Sequence, residues 1–329
     1  MTEKQSHILS VAPMMDWTDR HCRYFHRLLS PRALLYTEMV TAPALVRGGA
    51  LHLLGHDRAE HPLALQLGGS DPAELAAATA LGWQAGYPEV NLNCGCPSDR
   101  VQSGAFGAVL MKDPALVAAC CAAMIAASPA EVTVKCRIGV DDQDPRVALP
   151  RFLEAVAGVG VRRVIVHARK AWLQGLSPRE NRDVPPLDHP LVVEMARAFP
   201  QLRIVVNGGI DSLDAAETLL LQGLAGVMIG RAAYQRPADI LCGADARLFD
   251  DPGGLEPVAA VAAMRPYIAR HLELGVRLHA ITRHILGLFA GRPGARGWRR
   301  VLSEGAGRPN AGLEVLDAAL AEVQPMAAQ

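Results

Sequence analysis

The 329-residue chain has little that marks a compartment or a partner. Its formal net charge at pH 7 is +0, so no global field draws it to nucleic acid or a membrane, and any such attraction has to be local. No apolar run is long enough to span a bilayer. The longest uncharged stretch, residues 115–127, is alanine-rich and is closed by Ser128-Pro129. The opening MTEKQSHILS lacks the apolar core of a secretory signal. Seven cysteines over this length, two of them adjacent at Cys120 and Cys121, do not make the dense framework of a secreted disulfide protein. No second Cys or His pair stands at zinc-ligand spacing. These absences lead us to expect a cytoplasmic protein with no membrane attachment and no metal.

What is present is a rhythm. Half of the residues are hydrophobic, enough for one large domain and a smaller one. Short apolar runs at 8–13, 34–40, 62–67, 89–93, 132–137, 163–167, 203–207 and 226–229 read as strands. Helical patterns separate them. DPAEL places Asp71 as a cap, Pro72 in the first turn and Glu74 where a capping box needs it. Asp113 and Pro114 repeat the device, and the segment from Asp211 or Ser212 ends at Gly223. Eight such units match a (β/α)8 TIM barrel better than an open doubly wound sheet, which has no reason for eight.

After Cys242 the strand signal stops. Leu278, Ile281, Ile285 and Leu288 recur at helical spacing, and residues 244–329 read as a small all-α C-terminal domain behind a barrel of residues 1–243. Between Arg265 and Arg308 stand nine arginines, three histidines and two glutamates. The neutral total therefore hides a basic block, which is either a solvated helical face or a nucleic-acid surface.

In a barrel of this kind, chemistry belongs at the carboxyl ends of the strands. Those ends read Pro13-Met14-Met15, Glu38, Gln66, Asn91 with Asn93 and Cys96, Lys135 with Arg137, His167 with Arg169, Asn207-Gly208-Gly209, and Gly230-Arg231. So many polar groups are costly to bury unless a ligand satisfies them. Glycines directly after the last two strands suit a phosphate held on bare N–H groups, with Arg231 to neutralise it. A tight turn is the plain alternative for Gly208-Gly209, and the second glycine site next door favours the phosphate.

The fragments APMMDWTDRHCR, YTEMV, QLGG, NLNCGCPSDRV, GAFGAVLM, VKCRIG, VHAR, NGGI and MIGRA occur in this order along the barrel. Together they resemble the tRNA-dihydrouridine synthases, and HARKAWLQGLSPRENR and GARGWRRVLSE resemble the A-type bacterial branch. The resemblance implies bound FMN, NADPH as reductant with NAD(P)+ as the reverse acceptor, and reduction of D-loop uridines at tRNA positions 20 and 20a.

Two thiols flank Gly95. Alternation puts Val90, Leu92 and Cys94 on one face of the fourth strand and Asn91 and Asn93 on the other; if the asparagines face the barrel mouth, Cys94 looks toward the helix layer as packing. Gly95 breaks the parity, and alternation cannot place Cys96. The resemblance selects Cys96, in Gly-Cys-Pro, as the residue that acts. An unperturbed thiol titrates near about 8.5, so it keeps a proton to give at neutral pH. The expectation is hydride from reduced FMN to C6 of uracil and a proton from Cys96 to C5 on the opposite face.

Further roles follow from the matching motifs. Lys135 faces the electron-rich edge of reduced flavin, Gln66 bonds the ring, and Pro13, Met14 and Met15 pack beside it. His167, Asn207, Gly208, Gly209, Gly230 and Arg231 hold the ribityl chain and phosphate. Asn93 contacts the target nucleotide. Arg179 and Arg182, in the long loop after His167, and Arg296 and Arg299, three apart on a helix, orient the tRNA. Ser103, Gly104 and Gly107 permit movement near Cys96. Three rivals share parts of this pattern: a flavin barrel reducing small enones, a tRNA-binding protein with a vestigial flavin, and a Schiff-base aldolase using Lys135.

Overall fold

The computed structural model describes residues 7–98 and 106–323, so Ser103 and Gly104 lie outside the described residues. Eight parallel strands run β1 (Leu9–Val11), β2 (Leu35–Thr41), β3 (Leu63–Gly68), β4 (Glu89–Cys94), β5 (Glu131–Arg137), β6 (Arg163–His167), β7 (Arg203–Asn207) and β8 (Gly226–Ile229). Their order is β1-β8-β7-β6-β5-β4-β3-β2. A bridge between Ser10 and Leu34 closes the ring, with Val11 N–H donating to the Leu34 carbonyl at 2.9 Å. The fold is the (β/α)8 TIM barrel that the strand rhythm predicts. β1 is shorter than residues 8–13 suggest, because Pro13 has no N–H and Met14 onward turns back on Thr18.

Aspartate caps and first-turn prolines start the outer helices as expected. Asp71 accepts from Glu74 N–H at 2.8 Å and Asp113 from Leu116 N–H at 3.0 Å, while Ser212 rather than Asp211 caps Leu213–Leu220. Glu74 does not complete a capping box; its carboxylate pairs with Arg47 at 2.9 Å. The two faces of the strands feed two cores. Val90, Leu92, Cys94, Val134 and Cys136 join the large core beneath the helices, whereas Ala12, Leu34, Tyr36, Ala64, Ile165, Val205 and Met228 fill the barrel. The interior is otherwise polar.

The chain beyond β8 is helical, with its main helices at Pro257–Glu273, Ala295–Gly305 and Leu313–Ala321. It packs on the first barrel helix, Arg20–Leu29. Tyr24 stacks on Tyr267 with centroids 3.9 Å apart, and Asp19 takes Arg283 at 2.7 Å and His284 at 2.9 Å. Leu278, Ile281, Ile285 and Leu288 are all buried, as the stripe predicts, but their helix ends at Thr282. The chain then tightens into i to i+3 turns, and the Ile285 carbonyl accepts from the Trp298 indole at 3.1 Å. Gly287 presses on the Gln235 carbonyl so closely that a Cβ would lie 2.2 Å from its oxygen. Among the described residues no helix is long and apolar enough to cross a membrane, and no group of three or more His, Cys, Asp or Glu is placed to hold a metal ion.

Candidate active site

At the carboxyl end of β4, the Asn93 side chain folds over the strand terminus. Its Oδ1 accepts from Gly95 N–H at 2.9 Å and Cys96 N–H at 3.0 Å, an Asx-type closure that fixes where the two thiols go. Cys94 is fully buried in the core under the helices, and burial pushes its thiol well above the ordinary range. Cys96, past the strand end, is half-buried at the edge of that core near Arg137 and Arg182, with its Sγ 3.5 Å from Ser98 Oγ. Asn93 is itself 8% exposed and donates to Gln66 Oε1 at 2.9 Å. Gln66 is 1% exposed and donates onward to Asn91 at 2.8 Å.

Positive charge gathers beside this loop. Lys135, opposite Asn93 in the β4–β5 register, makes no hydrogen bond or ion pair among the described residues. Burial, and after it Arg137, brings its pKa down to about 8. Arg137 donates to Gly95 O at 3.1 Å and Asn181 O at 2.9 Å, tying the Cys96 loop to the loop after β6. His167 is held neutral, well below its usual range, first by burial and then by Arg137, Lys135, Arg169 and Arg182. Asp183 is the nearby counter-charge, and it pairs with Arg231 at 2.6 Å. Such an excess of cation is what an anionic ligand would neutralise.

The turn after β7 has the shape for that ligand. Gly208 and Gly209 both have positive φ, 109° and 69°. A Cβ on Gly208 would lie 2.5 Å from His167 Cδ2, and one on Gly209 2.3 Å from Leu187 Cδ1. Glycine is therefore favoured by conformation at both positions, and by space at Gly208 against the His167 ring. Among the described residues nothing accepts from the backbone N–H of Gly209 or Gly230. Asn207 spends its amide on the neighbouring strand, donating to Met228 O at 2.8 Å. Pro13 and Met14 are half-buried, and Met15, Val184, Leu187 and Trp172 leave an apolar lip, Met15 being 61% exposed. These groups suit a flat ring system with a phosphate tail.

Sequence reasoning missed Asn181 and Glu38. Asn181 is fully buried; its Oδ1 accepts from Trp172 N–H at 2.7 Å and its Nδ2 donates to Trp172 O at 2.9 Å, so the long loop after His167 is ordered rather than structureless. A lone asparagine in a polar stretch carries no pattern to announce this. Glu38, seen only as a strand end, accepts from Asp16 N–H at 2.5 Å and holds the β1 loop, where Asp16 has φ of 64°. Arg179 and Arg182 lie on this ordered loop around a short helical turn, Glu180–Arg182. Arg296 and Arg299 share one helix face, as their spacing predicts, and with Arg292 they line a surface hollow of about 380 Å³.

Comparison with known proteins bears on the same residues. The family model described as Dihydrouridine synthase (Dus) matches residues 10–324. A protein of Xanthomonas axonopodis pv. citri is 55% identical over 312 residues, covering 95% of this chain and 92% of the relative. One of Vibrio cholerae is 55% identical over 321 residues, 96% of each chain. One of Escherichia coli (strain K12) is 55% identical over 313 residues, 94% of this chain and 90% of the relative. All three are named tRNA-dihydrouridine(20/20a) synthase.

Proposed function

The chain belongs to the dihydrouridine synthase family, and from that premise we propose that it reduces uridines 20 and 20a in the D-loop of tRNA to 5,6-dihydrouridine. The observation that carries the reading is the half-buried thiol of Cys96, held by Asn93 at a cationic rim, while Cys94 is sealed in the core. FMN, reduced by NADPH, would supply the hydride for C6 of the uracil ring.

The chain's own residues would do the rest. Cys96 would give its proton to C5, so that hydride and proton together saturate the C5–C6 bond. Lys135, unpaired and half-buried, would take the anionic edge of the flavin ring. Gly208, Gly209 and Gly230 would offer backbone N–H groups to the phosphate beside Arg231, with His167 and Asn207 shaping the wall. Gln66 and Asn93 each retain a second amide proton for a ring edge. Pro13, Met14, Met15 and Trp172 would cover apolar faces and exclude water. The target base has to leave its stack to reach this rim. Arg179, Arg182, Arg296 and Arg299 would position the phosphates. We further propose residues 1–243 as the catalytic unit, residues 244–329 as the tRNA-binding unit, and the cytoplasm as its place of work.

The test uses purified protein, NADPH and tRNA made without modifications, in deuterated water. The reading predicts dihydrouridine at positions 20 and 20a with deuterium at C5. Unchanged tRNA, or dihydrouridine that carries no deuterium at C5, overturns it.

A further inference from the structure

The interior of a (β/α)8 barrel is ordinarily packed with branched apolar side chains. Here a run of polar groups climbs its axis from the amino to the carboxyl end. At the floor, Arg163 Nη2 holds Glu89 Oε2 at 2.6 Å. The other oxygen, Glu89 Oε1, accepts from Thr133 Oγ1–H at 2.7 Å and from Tyr36 O–H at 2.8 Å. Thr133 then accepts from Asn91 Nδ2 at 2.9 Å, Asn91 Oδ1 from Gln66 Nε2 at 2.8 Å, and Gln66 Oε1 from Asn93 Nδ2 at 2.9 Å. Asn93 Oδ1 ends the run on the N–H groups of Gly95 and Cys96.

The run has one direction, and both of its ends demand it. A carboxylate paired with arginine only accepts; two backbone N–H groups only donate. Thr133 has a single proton, which goes to Glu89, so its oxygen must accept from Asn91. Each amide above is then forced to put its NH2 toward the floor and its oxygen toward the rim. Reversing any one of them sets donor against donor on one side and acceptor against acceptor on the other. The amide orientations follow from this logic and need no separate assignment. Glu89, Thr133 and Asn91 are almost fully buried, at 3%, 0% and 0% exposed, so water does not compete for the links.

We propose that Glu89, Thr133 and Asn91 are positioning residues for the Cys96 loop: the floor carboxylate sets the polarity that makes Asn93 present an oxygen to Gly95 and Cys96. The inference rests on the proposed function for its catalytic consequence, though not for its structural one. Thr133 touches neither the thiol nor the rim, and its effect is transmitted through the three amides between, those of Asn91, Gln66 and Asn93.

The discriminating variant is Thr133→Val, which keeps the branched shape and removes the hydroxyl. Hydrogen exchange at the Gly95 and Cys96 amides should quicken by about tenfold or more, the loss of roughly one hydrogen bond's worth of protection. With tRNA and NADPH, kcat should fall by about tenfold while KM for tRNA stays within about twofold. Thr133→Ser restores both, because it returns the relay, and Tyr36→Phe alters neither, because it removes only a side branch. Should Thr133→Val not fold, Asn91→Asp breaks the same link from its other side, removing the Nδ2 donor to Thr133 at nearly the same volume, and carries the same expectation. Native exchange and native kcat in the valine variant, or equal losses in the valine and serine variants, overturn the proposal. If the unaltered protein forms no dihydrouridine, the proposed function fails while the exchange rates still judge the relay.

Discussion

Lys135 illustrates how a single residue's environment makes a measurable demand. Its pKa lies near about 8 instead of 10.5, from burial first and Arg137 second. Without ligand, the unfolded chain holds that proton more tightly, so this group makes stability rise between pH 8 and 10.5. An anion seated against Lys135 favours the ammonium and reverses the sense. Affinity for reduced FMN, whose ring carries the negative charge, should therefore fall as pH climbs past 8; in Lys135→Met it should be weak and without that slope. Flavin titrations across this range check the point, and an unchanged slope in the methionine variant contradicts it. Gly208 makes a second demand. Gly208→Ala has to adopt a φ of 109° against the His167 ring, and should cost about 2–3 kcal/mol in urea unfolding. A native midpoint would show that the turn relaxes at no cost. At this scale much was legible in the sequence. Alternation, with the asparagines turned to the barrel mouth, sends Cys94 to the helix layer, and it is buried in that core. Alternation could not place Cys96, because the side chain that fixes Cys96 belongs to Asn93 and the bond is to backbone, which carries no periodic signal.

Elements show where legibility ends. Strands β2 to β8 were readable because runs such as Arg203–Asn207 are buried on both faces, leaving a short continuous apolar signature. The stripe from Leu278 to Leu288 announced burial correctly but not its backbone, since tight turns can bury the same four residues as a helix. The order of the long loop after His167 was not legible, because it comes from bonds within the loop to Asn181 and from Arg137 at the end of the neighbouring strand. That dependence is testable. Asn181→Ala strips the bonds to Trp172, Leu176 and Ser177 and should destabilise by about 1–3 kcal/mol, with proteolytic cleavage appearing within residues 168–188. Resistance equal to the native protein's would mean the loop is held elsewhere. Arg137 also ties that loop to Gly95, bonding both Gly95 O and Asn181 O.

The whole molecule is electrically neutral and locally polarised. Lys135, Arg137, Arg169 and Arg182 crowd around His167 at the barrel mouth, and Arg292, Arg296 and Arg299 line a second basic hollow on the helical region. One RNA bridging both is what the proposed division between a catalytic barrel and tRNA-binding helices requires. Replacing Arg296 and Arg299 together by alanine should weaken tRNA binding and lower the slope of log affinity against log salt by about 1–2, with flavin content unchanged. An unaltered slope would remove the hollow from the RNA path. The paired thiols of the NLNCGCPSD segment give the most direct examination of the account, by counting dihydrouridine in tRNA treated with Cys96→Ala and with Cys94→Ala. Loss of about 100-fold or more in rate for the first, with flavin still bound, and near-native turnover for the second are the predicted results. A Cys96→Ala protein that works at the native rate would contradict the account at its centre.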